Sequence, residues 1–119
     1  MMLDWKGFLE LARELASRND ETSQRAAINR AYYGAYHRAR QIVEQNGSTL
    51  HNDGRAHSDV WRILDSGDIK QRVAAANGRF LFQIRKRADY QPTMADVRKD
   101  ASTAIALSQA IALALDAGH

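Results

Sequence analysis

The chain has 119 residues, a net charge of +3, one proline (Pro92) and no cysteine. That length suits one domain, residues 1–119, with a modest core. The lack of cysteine excludes disulfides, thiolate metal sites and a cysteine nucleophile.

The apolar spacing predicts helices throughout and no strand. Asp4 caps a first helix running to about Arg18, with Phe8, Leu11, Ala12 and Leu15 facing inward. Asn19-Asp20 breaks it and offers the next cap. A second helix runs from about Glu21 to Gln45 and ends at Asn46-Gly47, where glycine suits a left-handed position. Residues 47–57 read as a polar loop. A short third helix, from about Ser58 to Leu64, buries Val60, Trp61 and Leu64. Ser66-Gly67-Asp68 stops it and caps a fourth, from about Ile69 to Ala88, in which Asn77-Gly78 marks a bend or a close approach. Asp89 and Tyr90 are expected to leave that helix before Pro92. Thr93, with Asp96 three residues on, resembles a capping box for a last helix. Its inner face is Val97, Ala101, Ala104, Ile105, Ser108, Ile111, Ala112 and Leu115. Long helices with short connections make an antiparallel bundle the expected architecture.

No signal-peptide pattern opens the chain, and Ala101–Ala117 is too interrupted by polar residues for a membrane span. The expectation is a cytoplasmic protein with no membrane partner. Positive charge is unevenly spread. Residues 22–43 carry +4 and residues 69–88 carry +6 without a single acid, against −7 for the remainder. Two solvated helix faces would account for this, and so would a polyanion-binding surface where the two segments meet.

The second helix has two faces. Ile28, Tyr32, Ala35, Ala39 and Ile42 form an apolar stripe, and Arg30, Tyr33, His37, Arg40 and Glu44 form a second. Arg30 and His37 lie on nearly the same side, roughly 10 Å apart along the axis. Imidazole moves protons near neutral pH and guanidinium donates well to phosphate oxygens. Together they suit attack of an RNA 2′-hydroxyl on its own phosphate, which needs no bound metal. One helix supplies few such groups; two copies facing each other supply two of each. A polar dimer interface is the alternative reading of the same stripe. Tyr33, between Arg30 and His37, is placed to orient the imidazole or contact a base. Asp89 is the candidate to pair with Arg30. His51, Asp53 and His57 lack the spacing of a metal site, so no metal and no cofactor are expected.

Asn29-Arg30-Ala31-Tyr32-Tyr33-Gly34-Ala35-Tyr36-His37 resembles the S/N-R-A-Y-Y-A-x-F-H helix of small HEPN-domain proteins. His57, just before the third helix, matches a histidine of the family pattern. Arg85-x-x-Ala88-Asp89-Tyr90 resembles the R-x-x-A-D-Y that closes the family's fourth helix. The matches fall in family order across residues 29–90. The resemblance implies an all-α bundle of four to five antiparallel helices that forms a homodimer. Many members are metal-independent endoribonucleases of toxin–antitoxin, abortive-infection (phage-defence) or CRISPR-linked systems, with an arginine and a following histidine in a site assembled across the dimer. On that basis Arg30 and His37 are the candidate catalytic residues. Asn29, Tyr33, Asp89 and Tyr90 are candidates for positioning, and Arg40, Arg85, Lys86 and Arg87 for gripping RNA. Other members partner a small nucleotidyltransferase. The alternative is therefore a non-catalytic module that binds nucleotide, RNA or a partner nucleotidyltransferase or antitoxin.

Overall fold

Four aspartates punctuate the computed structural model, which describes residues 4–117. Asp4 accepts the Lys6 amide at 3.1 Å and opens α1 (Trp5–Ala16). Asp20 accepts the Ser23 amide at 2.7 Å and opens α2 (Glu21–Gln45). Asp68 exchanges two bonds with Gln71, a full capping box, at the start of α4 (Ile69–Tyr90). Asp96 accepts the Lys99 amide at 3.1 Å ahead of α5 (Val97–Ala117). Each carboxylate satisfies an amide that the helix itself leaves unpaired. In α3 (Arg55–Asp65) the residue before the helix is Gly54, which has no side chain to cap it.

At about 1.5 Å per residue, α2 runs for about 37 Å, close to the 41 Å long axis of the molecule. It packs against all four other helices. Its apolar stripe is the centre of the core: Ile28, Tyr32, Ala35, Ala39 and Ile42 are each no more than 1 % exposed. Small residues bring the neighbours close. A Cβ at Gly34 would lie 3.2 Å from the Trp5 carbonyl of α1, and one at Gly78 would lie 2.5 Å from the Trp61 ring of α3. Gly78 therefore serves close approach, and α4 passes through Asn77-Gly78 as unbroken helix. Gly47 has a φ of 99°, the left-handed position that closes α2.

Several boundaries differ from those the sequence suggests. Leu11 is exposed, and the inner arc of α1 is centred on Leu9 and Ala12. α3 begins three residues early, because Asp53 holds the Arg55 amide at 2.9 Å and turns the end of the polar loop into helix. Asp89 and Tyr90 remain in the last turn of α4 instead of leaving it. α5 starts after Asp96, and Thr93 lies outside it. The predicted inner face of α5 holds: Ala101, Ala104, Ser108, Ile111, Ala112 and Leu115 are buried, with Val97 and Ile105 at the margin. No strand occurs among the described residues, and no helix there is long and apolar enough to cross a membrane.

Candidate functional site

The second face of α2 meets the C-terminal turns of α4. Arg30 donates from Nη1 to Asn29 Oδ1 at 2.6 Å. Asn29 Nδ2 donates to Asp89 Oδ2 at 3.4 Å. The same carboxylate oxygen lies 2.8 Å from Arg85 Nε, one helical turn back along α4. Arg85 Nη2 donates to the Tyr33 hydroxyl at 3.1 Å, and its guanidinium lies 5.4 Å from the centre of the Tyr33 ring. Tyr33 stacks on His37 at 5.8 Å, and Phe8 of α1 stacks against the same imidazole at 5.5 Å. Six of the residues singled out in the sequence therefore form one connected cluster. The expected Asp89–Arg30 pair is replaced by an Asp89–Arg85 pair, because Asp89 stays helical and Arg85 is its i−4 neighbour. Arg30 reaches Asp89 only through Asn29. With two guanidinium groups and one carboxylate, the cluster carries an excess positive charge.

A deeper layer supports this face. Tyr32 is fully buried, and its hydroxyl accepts from Trp61 Nε1 at 3.3 Å. The same oxygen lies 2.8 Å from His57 Nδ1. Indole nitrogen only donates, and burial drives the Tyr32 pKa far up, so the phenol keeps its proton. The arrangement that uses every group is Trp61 donating to Tyr32 and Tyr32 donating to His57 Nδ1. This assigns the remaining His57 proton to Nε2. His57 also stacks on Tyr36 at 4.2 Å. Its pKa is lowered by burial first, then by the positive charge of Arg85 and by His37 and Arg40. That of His37 is lowered by burial and then by Arg40. Both imidazoles are therefore neutral at pH 7; in His37 that is the form able to accept a proton, while the one lone pair of His57 is taken by Tyr32.

The other predicted residues lie elsewhere. Arg40 is committed to the Tyr36 hydroxyl at 3.2 Å, Glu44 at 3.0 Å and Asn52 at 3.2 Å. Lys86 is exposed, with its ammonium 5.3 Å from the centre of the Phe82 ring. Tyr90 is 75 % exposed and shares a shallow cleft with Lys86 and Arg87. Two further cations of the α2 segment hold the fold together. Arg25 donates to the Ala88, Gln91 and Pro92 carbonyls at the end of α4, and Arg38 ties α2 to Asp116 of α5. The basic surface is therefore narrower than the charge run suggests. His57 and Phe82 were not among the predicted site residues. The family pattern signalled His57; nothing local in the sequence set Phe82 apart from other aromatic residues on a helix.

Among the described residues no group of three His, Asp or Glu side chains is placed to hold a metal ion. What the cluster offers is hydrogen-bond donation to an anion from Arg30 and Arg85, and proton transfer at His37. No family model, curated protein or solved structure matches this chain.

Proposed function

We propose that this chain is a HEPN-type protein of the toxin–antitoxin or phage-defence kind, which acts as a homodimer and cleaves RNA without a metal. The reading is carried by one observation: Arg30, Arg85, Tyr33 and His37 are linked across α2 and α4 around a single carboxylate, Asp89. In this account neutral His37 takes the proton of the RNA 2′-hydroxyl as that oxygen attacks the adjacent phosphorus. Arg30 and Arg85 donate to the phosphate oxygens of the crowded intermediate. The bond to the 5′-oxygen then breaks, and the leaving oxygen takes up the proton that His37 has just accepted. The products are a 2′,3′-cyclic phosphate and a 5′-hydroxyl, and no oxidant, reductant or cofactor is consumed.

A second reading rests on the packing of His37. Phe8 and Tyr33 stack on the ring, and the residue is only partly exposed. A ring so enclosed also suits a non-catalytic module that binds nucleotide, RNA or a partner nucleotidyltransferase. Incubating metal-stripped protein with single-stranded RNA decides between them. Cyclic phosphate ends support cleavage; bound but intact RNA, or a co-purifying partner without turnover, supports the module.

A further inference from the structure

A cleft of about 240 Å³ lies between α3 and α4, next to the cluster described above. Its floor is the buried Trp61, its walls are the half-buried His57 and Phe82, and its rim is Ser58, Arg79 and Gln83. We infer that this cleft is a pocket for one nucleobase carrying phosphate. It is smaller than the roughly 300 Å³ at which pockets for drug-sized ligands begin, so it suits a single flat ring system.

The lining matches that ligand group by group. His57 and Phe82 offer aromatic surface, which stacks on any base. The Ser58 hydroxyl and the Gln83 amide each offer a donor and an acceptor for a base edge. His57 Nδ1 is taken by Tyr32, which leaves the imidazole a donor at Nε2. Along α4, Arg79, Phe82, Gln83 and Lys86 share one helical face, so a cation stands at each end of the aromatic and amide pair. Arg79 is paired with Asp65 at 3.2 Å, with half of its side chain in water, a contact that contributes little and is readily exchanged for phosphate. A positively charged ring is disfavoured by the same cations. The Arg85 guanidinium lies 5.8 Å from the centre of the Phe82 ring and also holds Tyr33. Arg85 thus links the wall of this cleft to Tyr33 of the neighbouring cluster. The inference goes beyond the proposed cleavage and does not require it.

The test compares three probes by fluorescence anisotropy and competition: a short 2′-O-methyl oligoadenylate, which cannot be cut by this chemistry; an abasic strand of the same length and charge; and adenosine 5′-monophosphate. The base-bearing strand is expected to bind about tenfold more tightly than the abasic one. Phe82→Ala abolishes that preference. So does Ser58→Leu, which fills the cleft from an exposed position without emptying the core. Arg25→Lys retains it. Far-UV circular dichroism verifies that each variant is folded. Competition by the mononucleotide with the same Phe82 dependence identifies a free nucleotide as the occupant; competition by the strand alone identifies a residue of RNA. Equal binding of base-bearing and abasic strands overturns the inference, as does a preference that survives both variants. Protein that cuts ordinary RNA yet shows no base preference overturns the pocket and leaves the cleavage reading standing. Base preference with uncut RNA does the reverse.

Discussion

The Tyr32 hydroxyl lies 2.8 Å from His57 Nδ1 and joins the centre of α2 to the first turn of α3. Trp61, one turn further along α3, donates to the same oxygen. A single buried phenol therefore fixes the orientation of the imidazole that lies beneath the Arg30–His37 face.

Removing that oxygen tests the arrangement. Tyr32→Phe keeps the ring but leaves the Trp61 N–H buried without an acceptor, which costs about 1–3 kcal/mol. Urea unfolding gives the loss directly. The ¹⁵N spectrum of His57 in the parent protein shows the Nε2–H tautomer, and the variant shows a mixture. An unchanged midpoint with an unchanged spectrum would remove the Trp61–Tyr32–His57 chain from the account.

Gly78 makes a steric prediction. A methyl group there meets the buried Trp61 ring at 2.5 Å, so the ring must leave its place or α4 must shift. Gly78→Ala should therefore cost about 1–3 kcal/mol, against the gain of about 1 kcal/mol expected for this change in a free helix. The comparison is Ala at Gly54, where a Cβ meets nothing within 4 Å. That variant should lie close to the parent in a thermal melt.

The two outcomes illustrate what the sequence could show. Helical periodicity placed α2 to the residue and its apolar stripe in the core, because a 25-residue amphipathic pattern leaves little choice of face. Gly78 read equally well as a bend or as a close approach; only the position of Trp61 decides it. The Asp89 pairing failed for a related reason. Whether a helix ends before or after Asp89 changes which arginine it meets, and helix ends are weakly specified by local residues. The site was legible as a set of residue types on α2, while its link to α4 through Asn29 and Arg85 depends on packing that no local pattern encodes.

Arg25 is predicted to be structural. Its guanidinium satisfies three carbonyls where α4 ends and Pro92 follows, at 2.9, 2.7 and 3.3 Å. Arg25→Met should lower stability by roughly 2 kcal/mol, the scale of hydrogen bonds to a charged group. Arg25→Lys keeps the charge but not the three-way geometry and should recover only part of it. RNA affinity is expected to stay near the parent value in both, and a large loss of affinity in a folded Arg25→Lys protein would assign Arg25 to the binding surface.

Acid should weaken the fold near the histidine range. Burial comes first, followed by positive charge, in holding His37 and His57 below the ordinary 6.5. Below that value the unfolded chain binds protons that the folded chain refuses, so stability is complete above 6.5, falls as pH drops through it, and levels off beneath the folded values. Thermal melts at closely spaced pH from about 8 to 5 read this slope. His37→Gln with His57→Gln should flatten it. A midpoint that rises on acidification would contradict the burial of both rings.

The central claim is that His37 moves a proton while Arg30 holds phosphate. Its most direct test is the rate at which metal-stripped parent, His37→Ala and Arg30→Ala proteins cut the same single-stranded RNA. The account predicts cyclic phosphate ends from the parent and a loss of about a hundredfold or more in the rate of folded His37→Ala, with a comparable loss in Arg30→Ala. RNA left intact by the parent, or cut equally well by His37→Ala, would contradict it.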